Sequence, residues 1–365
     1  MSWLAGAALL AWLYLLLGHA RFWQAGPVLT ASGRKLGPRV CVVVPARDEA
    51  GLIGRSIGSL LAQDYADFSV VLVDDESADG TAGIARGLAG AERLTVINGA
   101  ARPPGWAGKL WAVQQGLAAC DAPLALLTDA DIEHDPGHLS ALVGKLLDDD
   151  CDMVSEMVRL TCDSLAERAL IPAFVYLFAL LYPFARVNDP GSGVAAAAGG
   201  TVLLRRAALD RIGGIGAIRG ALIDDVALAA MVKPGGRIWL GHSALARSIR
   251  PYGWGDVWRM VTRSAYVQLH RSPLLLGLTV VGMGWLFLVP PIATFEGSWL
   301  GLAGWVVMAA SFWPSLARFG LSPAWAPLLP LIAGFYSAAS VGAGMQHHFG
   351  RGVVWKRRAY SGVGG

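Results

Sequence analysis

The chain has 365 residues, of which 54% are hydrophobic and only 16% are charged, and its formal net charge is +3 at pH 7. This composition is too apolar for an ordinary soluble enzyme. The small net charge, without a basic domain, also argues against nucleic acid as a partner. We therefore expect a protein that works at a membrane.

The N-terminus carries an uncharged apolar run at 3–17 that is rich in Leu and Ala. With its flanking residues it approaches the roughly 20 residues that cross a bilayer, so we predict an uncleaved anchor at 1–20 in preference to a signal peptide. No basic region precedes this run, whereas Arg21, Arg34 and Lys35 follow it. By the positive-inside rule, the domain that follows lies in the cytoplasm.

Short apolar runs alternate with longer amphipathic stretches between 39 and 250, which predicts one α/β domain with a parallel sheet. The predicted strands are 40–44, 69–73, 94–97 and 124–127, and the predicted helices are 50–63, 80–90, 109–119 and 137–147. Sheets of this kind bind ligands beyond the carboxyl ends of their strands, so the residues at those ends are candidates for a site.

Carboxylates follow three of the four predicted strands. In chain order they are Asp48 and Glu49, then Asp74 and Asp75, and finally Asp129 and Asp131. Two carboxylates one residue apart at a strand end can hold a divalent metal that in turn binds a diphosphate, so we predict Asp129 and Asp131 as ligands of Mg²⁺ or Mn²⁺. This pattern indicates nucleotide-sugar chemistry. His134, which lies nearby, is interpreted as a surface turn residue.

The four cysteines show neither close pairs nor the spacing of metal ligands. They are Cys41, Cys120, Cys151 and Cys162. We therefore expect free thiols in a reducing compartment.

The C-terminal third is predicted to associate with the membrane. Trp254 and Trp258 lie on one face of an amphipathic stretch, which predicts an interfacial helix at 251–272. Apolar blocks at 274–295, 299–319 and 325–345 predict a transmembrane region at 273–347 with about three segments.

A basic tail at 348–365 follows these blocks. If the middle domain is cytoplasmic, three spans would place this tail outside, against the positive-inside rule. Either one block is re-entrant or the tail departs from the rule.

Three motifs resemble family 2 glycosyltransferases, which have a GT-A (Rossmann-like) fold. They are the segment 73–81 (Val-Asp-Asp-Glu-Ser-Ala-Asp-Gly-Thr), the triplet Asp129-Ala130-Asp131 and the later pair Asp224-Asp225, in the order typical of the family. The resemblance covers 40–272. Residues 105–109 (Gly-Trp-Ala-Gly-Lys) and the membrane segments are most similar to the hopanoid-associated glycosyltransferases, and the chain also resembles ceramide and carotenoid glycosyltransferases.

For the donor, the resemblance implies that Asp48 and Glu49 border a nucleoside pocket and that Asp74 or Asp75 accepts a hydrogen bond from the base. A carboxylate suits the imide N–H of uracil, and strand alternation leaves open which of the two points inward. Lys109 has either a donor-phosphate role or the position of an exposed first-turn lysine. Asp129 also belongs to the nucleotide-sugar site.

For the acceptor, the resemblance implies that Asp225, with Asp224 as the fallback, deprotonates the attacking hydroxyl, although a helix N-cap would also explain Asp224. Gly199, Gly200 and Thr201 correspond to the acceptor site of relatives, and structural glycines explain them equally well.

The predicted interfacial helix departs from the family pattern. Processive relatives carry a Gln or Arg, two residues and then Arg-Trp, whereas this chain has Arg259 and Arg263 without the Trp. Phosphate contact by these two arginines is a hypothesis.

A further apolar block at 166–186 lies between the metal motif and the predicted base. Since both motifs must share one site, this block cannot simply cross the bilayer. It is either an in-plane, acceptor-facing element or a helix internal to the domain.

Together with the membrane segments, the resemblance implies an inner-membrane, multi-pass, metal-dependent inverting glycosyltransferase of the hexosyltransferase type. It would transfer a sugar from a UDP-sugar to a lipid acceptor such as a hopanoid. The alternatives are a polyprenyl-phosphate sugar transferase, a polysaccharide synthase, or a transport or scaffold protein with a degenerate sugar-binding domain.

Overall fold

The structure is a computed structural model that describes residues 1–24 and 26–349, together with the backbone of 354–355 and 358–359. The chain divides into two compact units. The α/β unit comprises Pro27–Thr161 and Arg186–Arg250, and the helical unit comprises Met1–Gly26, Cys162–Ala185 and Pro251–Gly365. The side chains of the predicted basic tail, from 350 onward, lie outside the described residues.

The elements are numbered in chain order. The strands are β1 (Val40–Ala46), β2 (Phe68–Asp74), β3 (Leu94–Asn98), β4 (Leu124–Thr128), β5 (Ile132–His134), β6 (Met153–Arg159), β7 (Thr201–Arg205), β8 (Ile238–Ser248), β9 (Val354–Trp355) and β10 (Arg358–Ala359). The helices are α1 (Ser2–Leu17), α2 (Ala50–Leu61), α3 (Thr81–Arg86), α4 (Gly108–Ala118), α5 (His138–Asp148), α6 (Leu165–Leu181), α7 (Phe184–Asn188), α8 (Arg206–Arg211), α9 (Asp224–Val232), α10 (Trp254–Gln268), α11 (Pro273–Met283), α12 (Val289–Phe295), α13 (Trp299–Arg318) and α14 (Leu329–Phe349).

One eight-stranded sheet forms the α/β unit, in the order β3-β2-β1-β4-β7-β6-β8-β5. The four predicted strands are present as β1 to β4, and they run parallel. The prediction of a wholly parallel sheet was wrong, because β7 is antiparallel to β4 and to β6. Residues far along the chain supply β7, and its pairing has no local sequence signal.

The parallel half of the sheet is a buried core. Strand β1 is Val-rich and almost completely buried, as expected for a parallel strand that is covered on both faces. Because β1, β2 and β4 run in the same direction, the acids that follow them leave the sheet at one edge. Pairing of β7 with β4 places Thr201 opposite Thr128, so the start of β7 reaches this edge as well.

Cys41 and Cys120 form a disulfide, so the prediction of free thiols was wrong for these two residues. Cys41 lies in β1 and Cys120 lies just beyond α4, 79 residues later. Parallel strands joined by a crossover helix bring such distant positions together, which sequence spacing does not reveal. Cys151 and Cys162 are not disulfide-bonded within the part of the chain that the structure describes, in line with the prediction of thiols at these positions.

Three segments of the helical unit are long and apolar enough to cross a membrane: Pro273–Phe295, Trp299–Arg318 and Pro323–Phe349. The first consists of α11 and α12 joined by a π-helical segment, Gly284–Leu288. They match the three predicted blocks. Helix α1 has 16 residues and is classed with the shorter apolar helices. The N-terminal anchor therefore remains a prediction.

Helix α6, which contains most of the apolar block at 166–186, belongs to the helical unit. The hydroxyl of Tyr176 hydrogen-bonds Ser311 Oγ of α13 at 2.7 Å, and Tyr336 of α14 donates to Leu170 O at 2.8 Å. These buried contacts make α6 part of the bundle that contains the candidate membrane spans. Its acceptor-facing role remains a prediction.

Helix α10 packs against α14 within the same unit and buries Val257, Val261 and Tyr266. Its opposite side is polar. Arg259 and Arg263 are exposed, and Arg259 Nη2 donates to Asp256 Oδ1 at 2.5 Å. This amphipathic pattern is the one predicted for an interfacial helix.

Candidate active site

Lys109 joins acids from two separate elements. It is the second residue of α4, and its Nζ lies 2.8 Å from Asp129 Oδ1 and 3.1 Å from Asp224 Oδ2. Asp129 follows β4 directly, and Asp224 is the first residue of α9. The turn before Lys109 is fixed because Ala107 N–H donates to Arg219 O at 2.7 Å. Three residues predicted from separate motifs therefore form one cluster.

Opposite charges within this cluster shift its proton affinities. Burial alone would lower the pKa of Lys109, but the carboxylates of Asp129 and Asp224 raise it well above its usual value. Burial, opposed by Lys109 and reinforced by Asp131, raises the pKa of Asp129. The side chain of Asp129 remains 36% exposed, so solvent moderates this change. Lys109 therefore stays cationic between the acids.

Asp225 lies beside the cluster and is oriented by backbone groups. Val226 N–H donates to Asp225 Oδ1 at 2.8 Å, and the backbone of Gly199 lowers the pKa of this carboxylate. A Cβ on Gly199 would lie 3.1 Å from Asp225 Oδ2, so glycine permits the close approach. Burial and then the negative charge of Asp224 raise the pKa of Asp225 to about 6. Such a carboxylate can accept a proton near neutral pH.

The structure also bears on the N-cap alternative for Asp224. Helix α9 begins at Asp224, with Ile223 at the N-cap position. The side chain of Asp224 pairs with Lys109. Asp224 does not occupy the N-cap position, and Ile223, which does, makes no side-chain capping hydrogen bond. Both acids lie in the first turn, where the helix dipole stabilises negative charge.

Arg250 forms a second charged group at the same edge of the sheet. Its Nη2 donates to both carboxylate oxygens of Glu49, at 2.6 and 2.7 Å, and its Nε donates to Asp131 Oδ2 at 2.6 Å. Burial opposes the charge of Arg250, but Asp131 and Glu49 raise the pKa of its guanidinium. Arg250 was not predicted from the sequence, because it lies beyond β8 and belongs to none of the motifs.

The turns after β1 and β2 are joined to each other by hydrogen bonds. Asp48, with a left-handed φ of 50°, accepts from Ala78 N–H at 3.0 Å, and its own N–H donates to Ser77 Oγ at 2.9 Å. Asp75 is nearly buried and pairs with Arg47 at 3.3 Å, whereas Asp74 Oδ1 accepts from Ser77 N–H at 3.3 Å. Residues with positive φ cluster at functional sites, which agrees with a ligand-binding role here.

Gly200 connects the start of β7 to the acid turn. Its carbonyl accepts from Thr128 Oγ1 at 2.8 Å and from Asp129 N–H at 3.3 Å. Thr201 is fully buried, so its side chain packs in the interior of the α/β unit. His134 is also buried, with 3% exposure, and its Nε2 lies 3.3 Å from Thr128 Oγ1. The prediction that His134 is a surface residue was wrong, because β5 returns its side chain beneath the turn.

The predicted phosphate ligands on α10 belong to the helical unit, as described above. The clusters around Lys109, Asp225 and Arg250 lie within the α/β unit. A cavity in that unit is lined by both apolar and charged residues, among them Lys109, Asp129, Gly199, Asp224 and Asp225.

Among the described residues, no three His, Cys, Asp or Glu side chains converge as a metal site. Magnesium commonly binds one or two carboxylates and takes its remaining ligands from phosphates and water. Asp129 and Asp131 offer that donor set, and each already binds a cationic side chain, Lys109 or Arg250. The residues present therefore fit a divalent ion that arrives with a diphosphate.

Comparisons with known proteins agree with this geometry. Residues 41–213 match the model of glycosyl transferase family 2. Over 107 residues the chain is 34% identical to the succinoglycan biosynthesis protein ExoU of Rhizobium meliloti strain 1021. The aligned segment covers 29% of this chain and 30% of that protein. The mannosyltransferase PcManGT from Pyrobaculum calidifontis, solved with GDP-Man and Mn²⁺, has a TM-score of 0.57 and 22% identity, covering 94% of this chain and 99% of that one.

Residues 41–213 are therefore similar to glycosyl transferase family 2, and the α/β unit has the predicted GT-A fold with a Rossmann-like mixed sheet. Three apolar helical segments that could span a membrane accompany this domain. The match to ExoU spans less than a third of that protein, so it bears on the domain alone.

Proposed function

We propose that the protein is an inverting glycosyltransferase that moves one sugar from a nucleotide-sugar, a UDP-sugar by our expectation, to the hydroxyl of a lipid. The observation that carries the proposal is the bridge from Lys109 to Asp129 and Asp224, with Asp225 alongside. It gathers a candidate phosphate ligand, a candidate metal ligand and a candidate base at one sheet edge. The family 2 domain supports this assignment.

In this mechanism the donor lies across the carboxyl ends of β1, β2 and β4. Asp48 and Glu49 border the nucleoside, and a carboxylate of Asp74 or Asp75 accepts the hydrogen bond of the base. The ammonium of Lys109 turns from Asp129 towards the diphosphate. Exchange of one anionic partner for another keeps its charge compensated.

Asp129 and Asp131 would hold Mg²⁺ or Mn²⁺. The ion, when bound, neutralises charge on the departing nucleoside diphosphate. The Mn²⁺ in the PcManGT structure supports this choice of cofactor.

Asp225 acts as the general base. Its carboxylate takes the proton of the acceptor hydroxyl while the hydroxyl oxygen forms the new bond to the anomeric carbon. The bond from that carbon to the diphosphate oxygen breaks on the opposite side, so the anomeric configuration inverts. Asp224 is the fallback base.

The acceptor is proposed to be a lipid because three candidate spans belong to the same chain. A hopanoid is our first choice, on the resemblance of 105–109 and of the membrane segments. The basic residues that follow the N-terminal apolar run, Arg21, Arg34 and Lys35, support an inner-membrane protein with a cytoplasmic catalytic unit. The similarity to a succinoglycan biosynthesis protein favours a second candidate, sugar addition during polysaccharide synthesis.

The test uses the full-length protein in lipid nanodiscs with Mn²⁺, a panel of UDP- and GDP-sugars, and either hopanoid or polyprenyl-linked acceptors. We expect release of nucleoside diphosphate that requires both metal and acceptor, and a loss of at least about 100-fold for Asp225→Asn. Asp210→Asn, at an exposed site on α8, is the matched control. Tight sugar binding without release would instead support a non-catalytic sugar-binding domain.

A further inference from the structure

Behind the acid turn lies a continuous chain of buried polar side chains that the mechanism above does not use. His134 Nδ1 lies 2.8 Å from His138 Nδ1, and the two rings are stacked with centroids 4.9 Å apart. His138 Nε2 forms a short hydrogen bond with Glu156 Oε1. His138 and Glu156 are both fully buried, with 0% exposure. The series begins at Thr128, which immediately precedes Asp129.

The local structure holds each member in place. His134 ends β5, and its N–H donates to Ser59 Oγ at 3.0 Å. His138 begins α5, and the turn before it is tied to Gln63, which donates to Asp135 O at 2.8 Å and accepts from Leu139 N–H at 2.8 Å. Glu156 lies in the middle of β6. These contacts align the four side chains from Thr128 to Glu156.

Hydrogen-bond counting fixes where the protons lie. The Thr128 hydroxyl has one proton, and it goes to the Gly200 carbonyl, which can only accept. Thr128 Oγ1 must then accept from His134, so His134 carries its proton on Nε2. Burial, followed by the neighbouring His138, lowers the pKa of His134 well below its usual value, so this ring is neutral and its Nδ1 is an acceptor.

The remaining bonds follow from that assignment. Because His134 Nδ1 accepts, His138 Nδ1 must donate to it. His138 Nε2 and Glu156 Oε1 then share a proton. Glu156 Oε2 is buried without a hydrogen bond among the described residues, so His138 is the group that compensates this carboxyl. All donations between His138 and Gly200 therefore point towards Gly200.

The far end of this relay reaches both halves of the candidate active site. The Gly200 carbonyl accepts from Thr128 Oγ1 and Asp129 N–H, and the backbone of the adjacent Gly199 lies against Asp225, since a Cβ there would be 3.1 Å from Asp225 Oδ2. One dipeptide thus connects the turn that carries the predicted metal ligands to the predicted base. The group that orients the Thr128 hydroxyl therefore also sets the separation between Asp129 and Asp225.

We infer that His134, His138 and Glu156 are positioning residues, which hold the Thr128 hydroxyl on the Gly200 carbonyl and thereby fix the Asp129 turn relative to Asp225. The inference rests on the proposed function, because it assigns the buried histidines a task in that reaction. None of the three touches the reacting atoms; they act through Thr128 and Gly200.

The proton pattern is tested without reference to activity. In the full-length protein with ¹⁵N-labelled histidine, magic-angle-spinning NMR should show a neutral His134 that is protonated at Nε2, assigned with His134→Gln. Hydrogen exchange of peptides covering 128–131 and 199–200 should accelerate in Thr128→Val and His134→Leu. Thr128→Ser and His134→Gln, which keep a hydroxyl or an N–H donor, should exchange like the wild type. A His134 protonated at Nδ1, or equal exchange in all five proteins, overturns the inference.

Kinetics then test the positioning role. In Thr128→Val and His134→Leu we expect kcat to fall about tenfold or more while the KM for the donor changes less than about threefold, because misplacement of reacting groups slows the chemical step. His134→Gln should restore most of kcat. Lower thermal stability with kcat unchanged would mean that the relay only supports the fold. If the wild type releases no nucleoside diphosphate, the proposed function fails, and the NMR and exchange results still decide whether the relay holds the turn.

Discussion

The guanidinium of Arg250 binds Asp131 across 119 residues of sequence, with Nε donating to Oδ2 at 2.6 Å. The same side chain donates to Glu49 through Nη2. One cation therefore ties the turns after β1 and β4 to the end of β8. Because Arg250 contacts both turns, it holds the two turns together at the candidate site.

Arg250→Gln should destabilise the protein, because it leaves Glu49 and Asp131 without their counter-ion. The two carboxylates are only 9% and 13% exposed, whereas the side chain of Arg250 is 33% exposed. We therefore expect the free energy of unfolding to fall by about 2 kcal/mol. Thermal unfolding of the detergent-solubilised chain measures it. Arg247→Gln, at an exposed pair with Glu133, should cost less than about 1 kcal/mol. Equal effects of the two substitutions would contradict the assignment.

The reaction rate should fall at acidic pH. A protonated carboxylic acid cannot take the proton of the acceptor, and the ionised fraction of Asp225 declines as the pH drops through its pKa of about 6. We expect kcat/KM to be constant above that pH and to fall about tenfold per pH unit below it. A pH profile of nucleotide release measures this limb. Asp210→Asn should retain the limb, and its persistence in Asp225→Asn would exclude Asp225 as the base.

Substitutions of the two neighbours of Asp225 should move this limb in opposite directions. Lys109 lowers the pKa of Asp225, so Lys109→Met should shift the limb to higher pH. Asp224 raises that pKa, so Asp224→Asn should shift the limb to lower pH. The control is Lys145→Met, since Lys145 lies on α5 and pairs with Asp149, which directly follows that helix. Shifts in the same direction would refute the electrostatic account.

Gly199→Ala should impair turnover without preventing folding. The added Cβ would lie 3.1 Å from Asp225 Oδ2, which forces the base to move by a few tenths of an ångström. A small displacement of a catalytic group can reduce kcat about tenfold or more. Gly193→Ala provides the comparison, because its Cβ would meet no atom within 4 Å. If the two variants have the same kcat, close packing at Gly199 has no catalytic importance.

Loss of the Cys41–Cys120 disulfide should destabilise the α/β unit. The disulfide closes a loop of 79 residues, and chain-entropy arguments assign such a loop about 4 kcal/mol. We expect Cys120→Ser, or treatment with a reductant, to lower the unfolding temperature. Cys162→Ser keeps the disulfide, so its unfolding temperature should match that of the wild type and should fall with reductant in the same way. A reductant-insensitive wild type would show that the bond does not form in the isolated protein.

Local patterns were sufficient to predict the parallel half of the sheet. Strands β1 to β4 appear as Val- and Leu-rich runs, and acids lie at the ends of β1, β2 and β4, so Asp129 could be assigned to a strand end before its partners were known. Asp224 and Asp225 were found through the family motif. The structure then brought Asp129 and Asp224 to the same ammonium.

Long-range pairing accounts for what the sequence did not reveal. The antiparallel pairing of β7 with β4, the partner of Asp131 and the Cys41–Cys120 bond all depend on residues 73 or more positions apart meeting in the folded sheet. His134 was misjudged for a similar reason. Its burial results from packing beneath the turn and from contacts with Ser59 and His138, and neither contact leaves a periodic signal.

The counter-ions of the candidate site have a consequence for the order of ligand binding. Lys109 and Arg250 already neutralise part of the charge on the surrounding carboxylates, so the pocket is organised before any ligand enters. A divalent ion alone would have to compete with these two side chains for Asp129 and Asp131. A nucleotide that enters with its metal brings phosphate groups, with which Lys109 and Arg250 can pair in place of the carboxylates. If the proposed function holds, we expect the protein to bind a divalent ion weakly on its own and firmly together with the donor.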